Sequence, residues 1–561
     1  KGSARGSRSA ARRGPMNGEG AGLDDDEDLA AALPFSQAAN QQGDVLADHR
    51  RDLLRRRQPA ARITEPPSPP APARHGKLVN DSVHGLFRLD ADAVCIIDTA
   101  EFQRLRDLKQ LGMTSYVYPS ASHSRFEHSL GTYMLAGKWV DHFMRCQPEL
   151  RISRRDLKLV SLAGLCHDLG HGPFSHLFDN EVIPRLQKAG KIRTKEWSHE
   201  GMSCSMLQHL YDVNGLEDRL GVDDRDECRS EDLDTIKELI SMDKRDYDDA
   251  GNYTGGHTRR ARLRLGDKMF LYEVVANGRN SVDVDKFDYL LRDGKACDIP
   301  CSFSHTRLMQ LSKVIGGQIC FKKTESHTLY NLFQTRVNMH QLVYTHAKAK
   351  AMEFMVVDAL VAADAHFHFE ELIWDPARFK QLDDTVLKQI EWGTAPELAE
   401  AKAIVQRLRR RDLYKFAGEA SVPEAKHASW EGVSEAKIVQ HAPPGSGLQV
   451  EDIIVDNKEI NFSMKSRDPV SKTKFFDTLD SVTAEPLEQH RISTMLPRVF
   501  QDKKFRVYVR QAHKLAAAVD AMNNFAKSQQ CPSPIGTSPI AKRNRVGLRH
   551  PNSASRGSAW E

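Results

Sequence analysis

Between residues 123 and 181 the sequence crowds imidazoles and carboxylates. His128 stands in HSRFEHSL, the adjacent pair His167-Asp168 in SLAGLCHDLGHGPFSHLFDNE, and His171, His176 and Asp179 follow. Neutral imidazole and carboxylate are good ligands for Fe, Mn, Co or Zn. A packed core does not require so many of them together. A lone His-Asp pair is common on surfaces and at helix caps, but three such segments in succession are not explained that way. Neighbouring side chains can aim at one ion only from a helix end or a distorted turn. Gly170, Gly172 and Pro173 supply such a break.

Periodicity indicates the elements that must carry these groups. Order begins near Lys77, where VNDSVHGLFRLD reads as a short hairpin with turn residues Asn80, Asp81 and Gly85. From Asp98 the pattern becomes helical: in DTAEFQRLRDLKQLG, Asp98 and Thr99 can cap a helix with Phe102, Leu105 and Leu108 on one face. Helices continue through about Leu210, with polar loops at 218–230 and 243–262. YEVVANGRNSVDVDKFDYLLRD (272–293) reads as a further helix bearing a second acidic cluster, and 325–370 are strongly helical. Residues 395–440 give a weaker helical signal. KFRVYVR (504–510) alternates like a strand and, with GLQVEDIIVD (447–456), predicts a small α+β lobe.

The chain of 561 residues has room for a large core and more than one subdomain. A net charge of +4 leaves any attraction to nucleic acid or anionic membrane local. No apolar run approaches the ~18 residues that span a bilayer. Nine cysteines without CxxC spacing point to reduced thiols in a reducing compartment, and nucleus or cytoplasm is the expected location. The acid-free start KGSARGSRSAARRG fits an organellar transit peptide or a non-native leader equally, with Met16 a candidate start. DDDED (24–28), RRR (55–57) and EPPSPPAPAR (65–74) mark a disordered N-terminal tail.

RFEHSLG, CHDLGHGPFSH and DVDKFDYLLRD, in that order, resemble the HD-domain metal-dependent phosphohydrolases. Within them the chain is most similar to the sterile-alpha-motif-and-HD-domain deoxynucleoside triphosphate triphosphohydrolases, from about Lys77 to about Asn524. No segment of 1–75 carries the pattern of a sterile alpha motif. The resemblance implies a mainly α-helical HD-domain core with a small C-terminal α+β lobe between disordered tails. The expected divisions are 1–75 tail, 76–375 catalytic core with activator site, 376–527 C-terminal lobe and 528–561 basic tail.

By this resemblance the metal ligands are His128, His167, Asp168 and Asp285, with Asp283 facing solvent or capping its helix. A mixed site with open positions can take a phosphate oxygen and a water. His171, His176 and His199 are expected beside the α-phosphate, His176 as general acid and Asp179 orienting His199. Arg125, Lys286, Tyr289 and Arg336 match phosphate contacts. Gln110 and Asp293 match contacts to the sugar 3′-hydroxyl, and Leu111 and Tyr344 a wall against a 2′-hydroxyl. Thr345 replaces the usual glutamine near the base.

The resemblance also implies a guanine-reading activator pocket at Lys77, Asp98, Gln103 and Arg106, filled by GTP or dGTP at a subunit interface of a homotetramer. Lys322 and Thr324 stand where arginine and lysine are usual, so an adjoining activator site is expected to differ. The implied activity is cleavage of dNTPs to deoxynucleoside and inorganic triphosphate, with divalent Fe, Mn or Zn at the HD site and Mg accompanying the nucleotide. Two alternatives stay open: an HD phosphohydrolase acting on monophosphates or cyclic nucleotides, and a nucleic-acid-binding assembly. The tail AKRNRVGLRH would favour weak binding of single strands, and Ser538-Pro539 offers a phosphorylation site.

Overall fold

The chain enters through an antiparallel hairpin, β1 (Lys77–Asp81) and β2 (Gly85–Leu89), with Asp81 opposite Gly85. Asp81 Oδ1 closes the turn by accepting from the Val83 and His84 amides, each at 2.8 Å. The computed structural model describes residues 76–193, 197–216, 230–241 and 268–532. Residues 1–75, all of the C-terminal tail beyond residue 532 including Ser538, and nearly all of the loops at 218–230 and 243–262 lie outside these residues.

After α1 (Ala91–Ile97) the helix expected over 98–112 is cut short. An α-turn at Ala100–Gln103 passes into a 3₁₀ turn at Arg104–Asp107, and Leu108 is extended. Arg104 explains the break. It is buried, and its guanidinium donates to the Leu169, His171 and Leu382 carbonyls instead of reaching solvent. Thr99 caps this turn, whereas Asp98 ends α1.

Four helices frame the site: α2 (Arg125–Cys146), α3 (Arg154–Cys166), α4 (His199–Asn214) and, beyond α5 (Ser230–Ile240), α6 (Val284–Cys297). Their starts are fixed chemically. Ser124 with Glu127 and Ser153 with Asp156 form capping boxes, and the Ser198 and Asp283 side chains accept from the Gly201 and Lys286 amides. The single helix expected over 272–293 is therefore two. Tyr272–Val275 ends in a loop knotted by Asn277, whose side chain accepts from the Arg279 and Asn280 amides and donates to Val282 O. Asp283, a buried cap, restarts the helix.

Small residues bring the frame together. A Cβ on Gly164 of α3 would lie 3.0 Å from Thr132 O of α2, and one on Gly131 would lie 1.8 Å from Asp288 Oδ1 of α6. Trp139 fills the core behind them, with ring centroids 5.9, 5.5 and 6.3 Å from Phe143, Phe287 and Phe321. Its indole N–H donates to Ser312 Oγ at 2.8 Å, so no polar group is stranded.

The remainder contains α7 (Ser326–Met339), a π-turn at His340–Tyr344, α8 (Ala347–Phe367), α9 (Ala399–Arg409) and α10 (Leu515–Ser528). Strands β3 (Ser312–Ile315), β4 (Gln318–Lys322), β7 (Lys474–Phe476) and β8 (Glu485–Pro486) form one sheet in that order. Strands β5 (Lys415–Ser421), β6 (Ile453–Asn461) and β9 (Gln501–Val509) form another in the order β5-β9-β6. Phe505, Val507 and Val509 of that sheet bury against Met522 and Phe525 of α10, the core of the α+β lobe. No described helix is long and apolar enough to cross a membrane.

Candidate active site

Helix ends deliver the chemistry. His128 stands near the start of α2, His167 caps the end of α3 with Asp168 in the turn beyond, and Asp285 lies in the first turn of α6. His128 Nε2 is 3.1 Å from Asp285 Oδ1 and 3.5 Å from Asp168 Oδ2, and His167 Nε2 is 3.4 Å from Asp168 Oδ1 and 3.5 Å from Asp285 Oδ1.

The outer nitrogens of both rings are engaged. His128 Nδ1 meets Asp288 Oδ2 at 2.7 Å and His167 Nδ1 meets Gly164 O at 2.8 Å. With N–H on those atoms, each Nε2 lone pair points at the two carboxylates. His167 Nε2 is buried without a hydrogen-bond partner. Such an orphan beside two carboxylates fits a divalent cation, and two imidazoles with two carboxylates suit Fe, Mn or Zn.

Sequence reasoning missed the support behind His128. Asp288 also accepts from Nε and Nη2 of the Arg292 guanidinium, at 2.9 Å each, and contacts His84 Nε2 at 2.7 Å. Arg292 reaches Asp81 at 2.9 Å. Asp288 and Arg292 were legible as one and two turns on from Asp285 in DVDKFDYLLRD, spaced to share a face. His84 gave no signal, because its contact spans the hairpin and α6.

His128, His167, Asp168 and Asp285 open into a cavity of about 660 Å³ lined by His171, His176 and His199, by Arg125, Lys286, Tyr289 and Arg336, and by Gln110, Leu111, Asp293 and Tyr344. Asp179 stands behind the histidines, its Oδ2 2.5 Å from His199 Nδ1 and 3.8 Å from His171 Nδ1. The His171 and His199 rings stack with centroids 4.0 Å apart, and His176 meets both edge-on.

The pKa values of these imidazoles shift in opposite directions. His176 is exposed to the cavity but walled by protein. Desolvation first, then the Arg125 and His199 charges, push its pKa down to about 4. Cavity water softens that shift without changing its sign, so His176 is neutral near pH 7. His199 moves the other way: burial opposes its charge, but the bond to Asp179 outweighs that and raises its pKa.

The cations lining the cavity are already oriented. Arg125 is buried, donating to Asp168 Oδ2 at 2.5 Å and to Ser175 Oγ at 2.8 Å. Lys286 Nζ lies 3.1 Å from Asp283, and Arg336 donates to Asn461 O at 2.6 Å. The Tyr344 hydroxyl donates to Asp293 Oδ2 at 2.8 Å, and His123 meets Asp293 Oδ1 at 2.7 Å. Gln110 Oε1 is buried with no partner.

The turn that carries His176 differs from expectation. Gly170 and Gly172 have ordinary φ angles. What they supply is room: a Cβ on Gly170 would lie 2.3 Å from His199 O, and one on Gly172 2.3 Å from the Phe178 ring. The left-handed residues are Phe174 and Ser175, at φ 59° and 60°.

Lys77, Asp98, Gln103 and Arg106 lie outside this cavity. Lys77 Nζ contacts Asp98 at 2.5 Å, Arg106 donates to Gln103 Oε1 at 2.7 Å, and Gln103 donates to Ile97 O at 2.7 Å, beside Asp98. The Arg106 guanidinium covers the Phe126 ring at 3.5 Å.

Comparison with known proteins agrees with this architecture. The HD domain family matches residues 125–290, and the HD associated region matches 303–527. The deoxynucleoside triphosphate triphosphohydrolase SAMHD1 homolog of Dictyostelium discoideum is 40% identical over 83% of this chain and 83% of its own length. The SAMHD1 deoxynucleoside triphosphate triphosphohydrolases of Gallus gallus and Homo sapiens are 37% and 35% identical, each over 78% of this chain and over 72% and 71% of their own lengths. The chain belongs to the SAMHD1 family. The HD match holds His128, His167, Asp168 and Asp285, and the associated region contributes Arg336 and Tyr344.

Proposed function

We propose that this chain hydrolyses deoxynucleoside triphosphates to deoxynucleoside and inorganic triphosphate. One observation carries the reading: a single cavity combines the His128, His167, Asp168 and Asp285 set with the cations Arg125, Lys286 and Arg336 and an Asp293–Tyr344 pair. His128, His167, Asp168 and Asp285 would hold a divalent Fe, Mn or Zn ion. When bound, such an ion polarises a phosphoryl oxygen and lowers the pKa of water.

The remaining work falls to the protein. Arg125, Lys286 and Arg336 neutralise the triphosphate, with Tyr289 beside them, and Mg enters with the nucleotide. Water attacks the α-phosphorus, the bond to the 5′ oxygen breaks, and that oxygen takes a proton. His176 delivers it. His176 is neutral in the ligand-free site, so the triphosphate charge must first raise its pKa. His199, its pKa raised by the bond to Asp179, and His171 stand within the same histidine stack. Gln110 and Asp293 hydrogen-bond the 3′-hydroxyl, and Leu111 with Tyr344 leaves no partner for a 2′-hydroxyl.

Guanine-nucleotide activation belongs to the same reading. Lys77, Asp98, Gln103 and Arg106 cluster on the surface, and a guanine edge would replace the Lys77–Asp98 and Gln103–Ile97 bonds in a nucleotide-assembled homotetramer. The test is to incubate purified protein with Mn and dGTP, add GTP, and separate the phosphates by ion exchange. Release of triphosphate with deoxyguanosine supports the reading, whereas orthophosphate or pyrophosphate rejects it.

A further inference from the structure

Asp384 stands outside every group used above, in the loop before the Val386–Trp392 helix, yet it grips two walls of the cavity. Its Oδ1 accepts from the Phe174 amide at 2.6 Å and its Oδ2 from the Lys109 amide at 3.0 Å. Its own amide donates to Asp107 O at 3.2 Å.

Phe174 and Ser175 are consecutive non-glycine residues in the left-handed region. Such a pair persists only where its surroundings over-determine it. The next residue is His176. The Ser175 hydroxyl accepts from Arg125 Nε and donates to Lys109 O at 2.9 Å, and Gln110 follows Lys109. Arg104 ties the other flank, bridging Leu382 O, two residues before Asp384, to His171 O at 2.6 and 2.7 Å.

We propose that Asp384 is a positioning residue for the hydrolysis, its carboxylate locking the Phe174–Ser175 turn against residues 107–110 and so setting His176 relative to Gln110. This rests on the dNTP reading above. An ionised carboxylate accepts from both amides. An asparagine of the same shape accepts from one and turns an NH₂ toward the other. Burial pushes the Asp384 pKa up to about 6; the Phe174 and Lys109 amides and the Lys109 charge oppose that shift, and Asp383 adds to it. Arg104 is the other charge beside the loop. As pH falls through about 6 the carboxyl gains a proton and one amide loses its acceptor.

The experiment is Asp384→Asn in the full chain. Turnover of dGTP should fall about tenfold or more with KM within about twofold, while bound metal and the melting temperature stay near wild type. The wild-type loss of kcat below about pH 6 should be absent from the variant. Hydrogen exchange, which needs no activity, should quicken in peptides covering 107–111 and 172–177. Unchanged exchange and turnover would overturn the inference, as would a parallel fall in kcat, melting temperature and metal content, which marks a purely structural role. A wild-type enzyme releasing no triphosphate would overturn the substrate reading instead, leaving the exchange result to judge Asp384.

Discussion

At the scale of single residues, the site depends on what stands behind its ligands. Asp288 fixes the His128 ring and is itself fixed by Arg292 and His84, so it determines where the His128 lone pair points. Asp288→Ala should lower metal affinity about 10–100-fold with the helices intact. Elemental analysis after dialysis against graded chelator, with circular dichroism as control, measures this. His176→Ala should keep its metal and lose about 10²–10⁴-fold in kcat, because acid catalysis acts only in the transition state. A rise in KM alone would make His176 a binding residue. The His199–Asp179 pair predicts a pH dependence of stability. Folding raises the His199 pKa, so its contribution is full below the unfolded value and fades as pH rises through the folded one. Asp179→Asn should therefore narrow the gap to wild type at pH 9 relative to pH 6 in thermal melts.

The residue types and order within HSRFEH, CHDLGHGPFSH and DVDK made the candidate ligands legible in the sequence. Asp288 was legible by helical spacing. His84, His123 and Ser175 were not, because each acts through a partner far away in the chain.

Elements convert that order into geometry by ending where they do. Capping boxes start α2 and α3, and His167 closes α3, so ligands gather where helix ends meet. Periodicity located α8 and strand β9 because their apolar residues repeat. It failed at 98–112 and 272–293. In the first, buried Arg104 reaches distant carbonyls, and in the second, Asn277 rebuilds the loop through its side chain. Strand β5, KFAGEAS, has little β-propensity and is held by its pairing with β9. The glycines of the frame are spacers. Gly131→Ala would drive a methyl into the Asp288 carboxylate and should cost about 1–3 kcal/mol, read from chemical denaturation. It should also loosen metal binding, since Asp288 holds His128.

On the scale of the whole molecule, two surfaces are connected through a short stretch of chain. Gln103 and Arg106 flank buried Arg104, which holds the His171 carbonyl, and Arg106 lies on the Phe126 ring next to Arg125. A nucleotide gripping Asp98, Gln103 and Arg106 would bear directly on that stretch. Asp98→Ala should therefore lose GTP-stimulated dATP hydrolysis and nucleotide-driven assembly while retaining its metal. Light scattering with and without GTP, alongside dATP turnover, checks both. A wild-type monomer indifferent to GTP would leave the catalytic reading standing and remove the regulatory one.

In the proposed reaction water attacks the α-phosphorus and the 5′ oxygen leaves with the nucleoside. Hydrolysis of dGTP in ¹⁸O-water, followed by mass spectrometry of both products, tests this most directly. The expected products are inorganic triphosphate with one labelled oxygen and unlabelled deoxyguanosine. Label in the nucleoside, or in orthophosphate or pyrophosphate, would contradict it.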